Sequence, residues 1–219
     1  TVLFGDLSRS GGKKGGSTPL FTVMSTKANV GLAPERADSG DSKPIRIIDY
    51  PGHPSLSTQL PSVLCDADRT VLVLDSTRPV SEAAEVLFSA LADELVHEAW
   101  SLRPDGVIPV VVACTKADVK GAKNWRRIKI QVRTELERLR KVGSATRRSR
   151  EGEGSMAPFS ASNKALDLDN LEEHGAPLSL HFLSVSSING DGMDELRDFI
   201  SSGAVVENNP ANSKKPRKE

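Results

Sequence analysis

Asp49-Tyr50-Pro51-Gly52-His53, directly after the mostly apolar run Pro44-Ile45-Arg46-Ile47-Ile48, is a place where residue types and spacing suggest chemistry. A strand that stops at a carboxylate and turns at Pro-Gly sets three groups at one edge. In an open parallel sheet, that edge is where ligands bind. Asp49 can hold Mg²⁺ through water, because Mg²⁺ keeps most of its hydration shell and takes few protein oxygens besides phosphates. Gly52 lets the backbone come close to a terminal phosphate and offers its N–H. His53 then points either toward the water that attacks that phosphate or toward nothing at all. The same residues also make an ordinary strand, carboxylate and turn.

A second segment narrows the choice. Val107 to Ala113 is an apolar strand that runs into Cys114-Thr115-Lys116-Ala117-Asp118. T-K-x-D has the form of the G-protein pattern, in which the aspartate accepts two hydrogen bonds from the guanine edge. The lysine stem lies over the base and the first residue ties neighbouring loops together, roles that fall here on Asp118, Lys116 and Thr115. Each motif alone is weak; the pair, in this order and each after an apolar strand, points to a guanine-nucleotide-binding fold.

The elements that must position these groups need one substantial core, and 219 residues are enough for one but not comfortably for two. Lys plus Arg and Asp plus Glu balance at 29 each, which removes any global electrostatic case for nucleic acid or an acidic surface. Cys65 and Cys114 sit in separate apolar segments and read as buried, reduced thiols, not as a disulfide or a metal site. No stretch approaches the roughly 20 apolar residues of a membrane span, and no signal peptide is visible. The chain begins at Thr1, not at methionine, which fits a trimmed fragment.

A phosphate loop, G-x-x-x-x-G-K-[ST] after a strand, belongs in the N-terminal region. Two registers can be tried. Gly11 to Thr18 mimics the loop, but Ser17 stands in the lysine's place and Pro19 follows where a helix should. Alternatively Thr1 is the loop's own last residue and Thr1 to Leu7 the helix after it, with Leu3, Phe4 and Leu7 on one face. In that register the first strand and most of the loop are missing from this chain.

Ser10 to Gly16 then reads as a solvated basic loop, and Ser17 to Met24 as an edge strand. Thr18 is either a switch threonine that ligates Mg²⁺ in the triphosphate state or an ordinary turn residue. The composition of 28–43 predicts a loop leading to the Asp49 strand. Ser55 to Leu64 is expected to be a mobile helical segment, and Arg69 to Ser76 a central strand apolar on both faces.

Val80 to Trp100 reads as one helix capped by Ser81, with Ala84, Leu87, Leu91 and Leu95 on its apolar face. Strand, helix, strand makes a right-handed βαβ unit. Trp125 to Val142 is a basic helix with a stripe of Ile128, Val132, Leu136 and Leu139. It is a solvated helix with one face on the core or, alternatively, a docking helix for a partner or an anionic membrane surface. Gly143 to Ser162 is polar, and an insertion of low complexity spans about 143–177. Leu178 to Ser187 is the last strand, Asp191 to Ile200 the last helix, and 201–219 a polar tail. The loop between them is similar to the S-A-[K/x] element of GTPases. Ser186 and Ser187 are its site residues, with the Ser187 N–H facing the guanine oxygen.

The ordered set Asp49-Tyr50-Pro51-Gly52-His53, Val73-Leu74-Asp75-Ser76-Thr77, Ser81-Glu82-Ala83-Ala84-Glu85 and Thr115-Lys116-Ala117-Asp118, with the Arg-rich helix after it, resembles the family of eukaryotic signal recognition particle receptor beta subunits, which are Ras/Arf-like small GTPases. The resemblance implies an α/β, Ras-like P-loop GTPase three-layer fold, with a mostly parallel sheet and helices on both faces, lacking its first strand in this chain. It implies a GTPase domain over 1–200 that binds GTP and Mg²⁺. Thr1, Asp49, Gly52, Thr115, Lys116, Asp118, Ser186 and Ser187 would hold the nucleotide. Thr1, Thr18 and, through water, Asp49 would hold the metal, and His53 would position water for at most slow hydrolysis.

The implied partner is the receptor's alpha subunit, engaged in the GTP state, with the ribosome and translocon reached indirectly and no direct contact with nucleic acid. The implied location is the cytosolic face of the endoplasmic reticulum membrane, through an N-terminal helix absent from this chain. The alternatives are an Arf-like or translation-type small GTPase, or a pseudo-GTPase interaction module without nucleotide.

Overall fold

The structure is a computed structural model that describes residues 29–33, 45–52, 59–103, 108–148, 159, 164–176 and 178–202. β1 (Asn29–Ala33) runs antiparallel to β2 (Ile45–Asp49), with Val30 opposite Ile48 and Asn29 opposite Asp49. The loop expected over 28–43 therefore contains a strand. The short run Val-Gly-Leu-Ala gains its backbone partners from β2, a non-local stabilisation that composition does not reveal. The edge strand expected at Ser17 to Met24 lies outside the described residues.

After α1 (Leu60–Cys65), three parallel strands form a second sheet in the order β3 (Thr70–Asp75), β4 (Ile108–Thr115), β5 (Leu178–Ser184). Parallel neighbours need long crossovers. The first carries α2 (Ser81–Ala92) and α3 (Glu94–Ser101); the second carries α4 (Trp125–Arg148) and a 3-10 turn, Leu171–His174. α5 (Met193–Ser202) follows β5. Among the described residues no strand pairs with the second edge of β2 or of β3, so the strands form two sheets.

β4 explains the layering. Ile108, Val110, Val112 and Cys114 alternate into a core shared with α2, α3 and α4, while Val111 and Ala113 face Met193, Leu196 and Phe199 of α5. A strand buried on both faces reads as a continuous apolar run, as this one does. β3 departs from that expectation: Leu74 is buried, but Val73 is 51% exposed.

The helix expected over Val80 to Trp100 is two helices. Asp93 is extended (φ −80°, ψ 123°), and its carboxylate accepts the Val96 N–H at 3.1 Å, capping α3. The break resets the helical phase, so Leu95 is 66% exposed while Val96 and Trp100 are buried. Ser81 does not cap: it is the first helical residue, Val80 holds the cap position, and no side chain bonds there.

The apolar stripe of α4 also differs in its last member. Ile128, Val132 and Leu136 are buried, but the next position at that spacing is Arg140, also buried, and Leu139 is only partly so. The Arg140 guanidinium lies over the Phe159 ring, 5.3 Å from its centroid, and donates to the Lys164 carbonyl at 3.3 Å.

The insertion expected at 143–177 is narrower than its composition suggests. α4 continues to Arg148, and Phe159, Leu166, Leu168, Leu171 and Ala176 are all buried in the core. His174 is buried too, and its Nε2 accepts the Asp167 N–H at 3.1 Å. At the chain's far end α5 runs to Ser202, two residues into the expected tail, and Arg69 donates to the Ile200 and Ser201 carbonyls at 2.5 and 3.3 Å. A guanidinium there satisfies carbonyls that a helix end leaves open. Both thiols are free. Burial pushes the Cys114 thiol up to about 12, and burial, then the nearby Asp93 and Asp66 carboxylates, raises that of Cys65.

Candidate functional site

Five residues named from the sequence, Thr115, Lys116, Asp118, Ser186 and Ser187, meet at the C-terminal ends of β4 and β5. Thr115, the last residue of β4, donates its hydroxyl to the Leu74 carbonyl of β3 at 2.9 Å and accepts the Ser76 N–H at 3.0 Å, which ties the two strand ends together. Lys116 follows with φ +59°, the only non-glycine residue with positive φ among the described residues. A side chain in that region costs roughly 1–2 kcal/mol and persists only where its surroundings over-determine it.

Those surroundings are visible. The Lys116 ammonium bonds Asp75 Oδ2 at 2.5 Å, and the Ala117 N–H donates to the Val185 carbonyl at 3.3 Å. The other Asp75 oxygen accepts the Thr77 N–H at 2.9 Å and hydroxyl at 2.6 Å. Burial alone would raise the Asp75 carboxyl, but the bonds from Lys116 and Thr77 outweigh it and hold it at about 2. Lys116 thus leaves β4 with its stem drawn toward the end of β3.

Asp118 stands in the exposed turn that follows and is fixed from β5's side. The Ser186 hydroxyl donates to Asp118 Oδ1 at 2.6 Å. Ser186 is itself fully buried, its N–H given to the Asp191 carbonyl at 2.8 Å and its carbonyl accepting the Gly190 N–H at 2.9 Å. The Asn189 N–H donates to the Ser186 hydroxyl oxygen at 3.2 Å. Among the described residues neither Asp118 Oδ2 nor the Ser187 N–H has a partner, and both residues are exposed. One acceptor oxygen and one backbone donor therefore face solvent on adjoining loops, a pairing that suits a planar ring carrying both donors and a carbonyl.

The loop is tight because Gly192 makes it so. Its φ is +71°, and a Cβ there would collide with the Ser184 carbonyl oxygen.

Asp49 and Gly52 are not in this cluster. Asp49 ends β2 on the two-stranded sheet, and Gly52 follows in the exposed turn after it. Gly52 lies outside the positive-φ region, and among the described residues nothing stands within 4 Å of where its Cβ would go, so their packing does not demand a glycine there. Among the described residues no group of three His, Cys, Asp or Glu side chains could grip a metal by itself. Mg²⁺ does not need one where phosphates supply oxygens. Thr1, Thr18 and His53 lie outside the described residues.

Asp75 and Thr77 join this cluster through their hydrogen bonds, although the sequence had used them only as part of the Val73 to Thr77 motif, with no role at the site. Asp75 was visible as the polar end of an apolar strand, but nothing local paired it with a lysine 41 positions away.

Comparison with known proteins places these features in a family. The family model described as signal recognition particle receptor beta subunit matches residues 1–174. The human signal recognition particle receptor subunit beta is 29% identical over 179 residues, 80% of this chain and 62% of that protein. Its mouse counterpart is 32% identical over 152 residues, 68% of this chain and 52% of that protein. The chain thus spans between about half and somewhat under two thirds of the length of these curated relatives.

Among solved structures, that of the mammalian SRP receptor superposes with a TM-score of 0.60 at 25% identity, covering 85% of this chain and 88% of that one. A Chaetomium thermophilum structure, described as the receptor SRb-GTP/SRX complex, superposes at 0.58 with 17% identity, covering 81% and 79%, which is a likeness of fold alone. A second from that organism, described as SRb-GDP-Mg, superposes at 0.52 with 22% identity over 70% and 78%.

Proposed function

The chain belongs to the signal recognition particle receptor beta subunit family, and from that premise we propose that it binds GTP with Mg²⁺ and pairs, in that state, with the receptor's alpha subunit. The observation that carries the nucleotide reading is the Ser186–Asp118 hydrogen bond. It fixes a carboxylate whose second oxygen is open, beside the open N–H of Ser187. Relatives described with GTP and SRX, and with GDP and Mg, support the ligand and the partner.

In this reading Asp118 accepts from the guanine edge, the Ser187 N–H donates to its oxygen, and the Lys116 stem, steered by Asp75, covers one face. Thr115 holds the ends of β3 and β4 in register. Thr1, Thr18 and, through water, Asp49 would hold Mg²⁺, and Gly52 would offer its N–H to the terminal phosphate. The segment around Thr18 and the turn from Asp49 to His53 would be ordered by the γ-phosphate that GTP supplies when bound, and the ordered surface would receive the alpha subunit. His53 would position water for a slow hydrolysis. The setting is the cytosolic face of the endoplasmic reticulum membrane, where the complex would deliver ribosome–nascent-chain complexes. Among the described residues no helix is long and apolar enough to cross a membrane.

Titration with a fluorescent GTP analogue, with and without Mg²⁺, tests the guanine end. The measurement compares this chain, and a version extended upstream in its gene, with Asp118→Ala in each. Hydrogen bonds to a charged group contribute about 1.5–3 kcal/mol each, so Asp118→Ala should weaken binding about 100-fold or more, and ATP should compete poorly. Equal binding by Asp118→Ala, or equal competition by ATP, would sink the guanine pocket.

A further inference from the structure

α4 carries a face that the nucleotide reading does not use. Its buried stripe of Ile128, Val132, Leu136 and Arg140 is spent on the core. The opposite side presents Arg126, Arg127, Arg133, Arg138 and Lys141, all exposed, around Ile130, which is 61% exposed. Arg126, Ile130, Arg133 and Lys141 fall at helical spacing along one ridge, which at 1.5 Å per residue is about 22 Å long.

The helix's acids offset only part of that charge. Glu135 is paired with Arg138 at 2.6 Å, and Glu137, which accepts the Leu166 N–H at 3.1 Å, stays charged on the ridge, but these two carboxylates face seven Arg and Lys side chains between Arg126 and Lys141. Among the described residues Arg127 and Arg133 have no ion-pair partner, and Arg126 lies over the Trp125 ring, 4.9 Å from its centroid. Because the whole chain has no net charge, this is a local concentration of positive charge.

We propose that the Arg126–Lys141 face of α4 is a docking surface for an anionic lipid bilayer. Arginines engage phosphates through a planar fork of donors. That alone would suit any polyanion, and Ile130 decides between them. A nucleic-acid backbone offers an exposed apolar side chain nothing to bury against, and the face has no aromatic to stack on bases, since Trp125 packs against the core. A lipid headgroup layer offers both phosphates for the arginines and, just beneath, the acyl boundary for Ile130. An amphipathic-helix partner groove is excluded by the same packing, because the apolar stripe of α4 is already covered.

The test is flotation of the full chain with phosphatidylcholine vesicles, with and without phosphatidylserine. Wild type is compared with the triple variant Arg126→Gln/Arg127→Gln/Arg133→Gln and with Ile130→Ser. Each basic group near an anionic surface is worth about fivefold in binding, so the triple variant should lose on the order of 100-fold. Ile130→Ser should lose roughly tenfold, and raising the salt should weaken wild type as the Debye length shrinks. All four positions are exposed, and unchanged melting temperatures would separate lost docking from lost folding. Equal flotation of wild type and triple variant overturns the proposal. So does an RNA oligonucleotide that displaces the vesicles and binds Ile130→Ser as well as wild type, because the face would then read phosphates without the bilayer. Both losses together, confined to phosphatidylserine vesicles, support it.

Discussion

Asp75→Asn isolates the charge that steers Lys116, because asparagine keeps an oxygen for the Thr77 N–H and hydroxyl. The wild-type carboxyl is held at about 2 against 3.8 when free, and at about 1.4 kcal/mol per unit that caps its contribution at roughly 2.5 kcal/mol. The Lys116 side chain is 57% exposed, so solvent screening brings the expected loss at neutral pH nearer 1 kcal/mol. The sign follows from the depressed value. At neutral pH the carboxyl is ionised in both the folded and the unfolded chain, and the contribution is fully present. As the pH falls through 3.8 the unfolded chain takes up its proton first, and the contribution is lost on the way down to about 2.

Urea unfolding followed by circular dichroism would read this. Asp75→Asn should cost about 1 kcal/mol near neutrality and about half of that near pH ~3. A double-mutant cycle with Lys116→Met should return a coupling of about 0.5–1 kcal/mol. A loss that stays constant in acid, or a coupling of zero, would refute the reasoning, because the low carboxyl value would then come from something other than the ion pair.

The two site glycines should behave oppositely. Gly192→Ala meets the Ser184 carbonyl at positive φ and should destabilise by about 2 kcal/mol or more, whereas Gly52→Ala should leave the melting temperature unchanged and weaken binding of the GTP analogue. A stability loss at Gly52 comparable to that at Gly192 would show that Gly52 serves the fold. Thiol titration of the native chain should label Cys65 slowly and Cys114 only after unfolding, since burial holds the Cys114 thiol near 12. Rapid labelling of both in the folded protein would contradict the placement of Cys114 in the core.

Much of this protein lay in plain view along the chain. β4 and the T-K-x-D turn were legible because a strand buried on both faces must be continuously apolar, and because the turn that follows it is a local sequence of four residues. The basic helix was legible from its 3.6-residue period, and its polar side is where the arginines stand. The break at Asp93 had a sequence signal, an aspartate followed by Glu94 at the head of an apolar run, but the longer periodicity around it masked the cap.

What could not be read locally involved partners distant along the chain. Lys116 finds Asp75 at a separation of 41 residues and Asp118 finds Ser186 at 68, pairings created when parallel strands bring their C-terminal ends together. β1 exists because β2 supplies its hydrogen bonds, and Arg140 is buried because Phe159 and the Lys164 carbonyl receive its guanidinium. Periodicity and propensity act within a few residues, so they specify elements and motifs. The geometry that turns a lysine and an aspartate into one site comes from contacts that exist only once the sheet has formed.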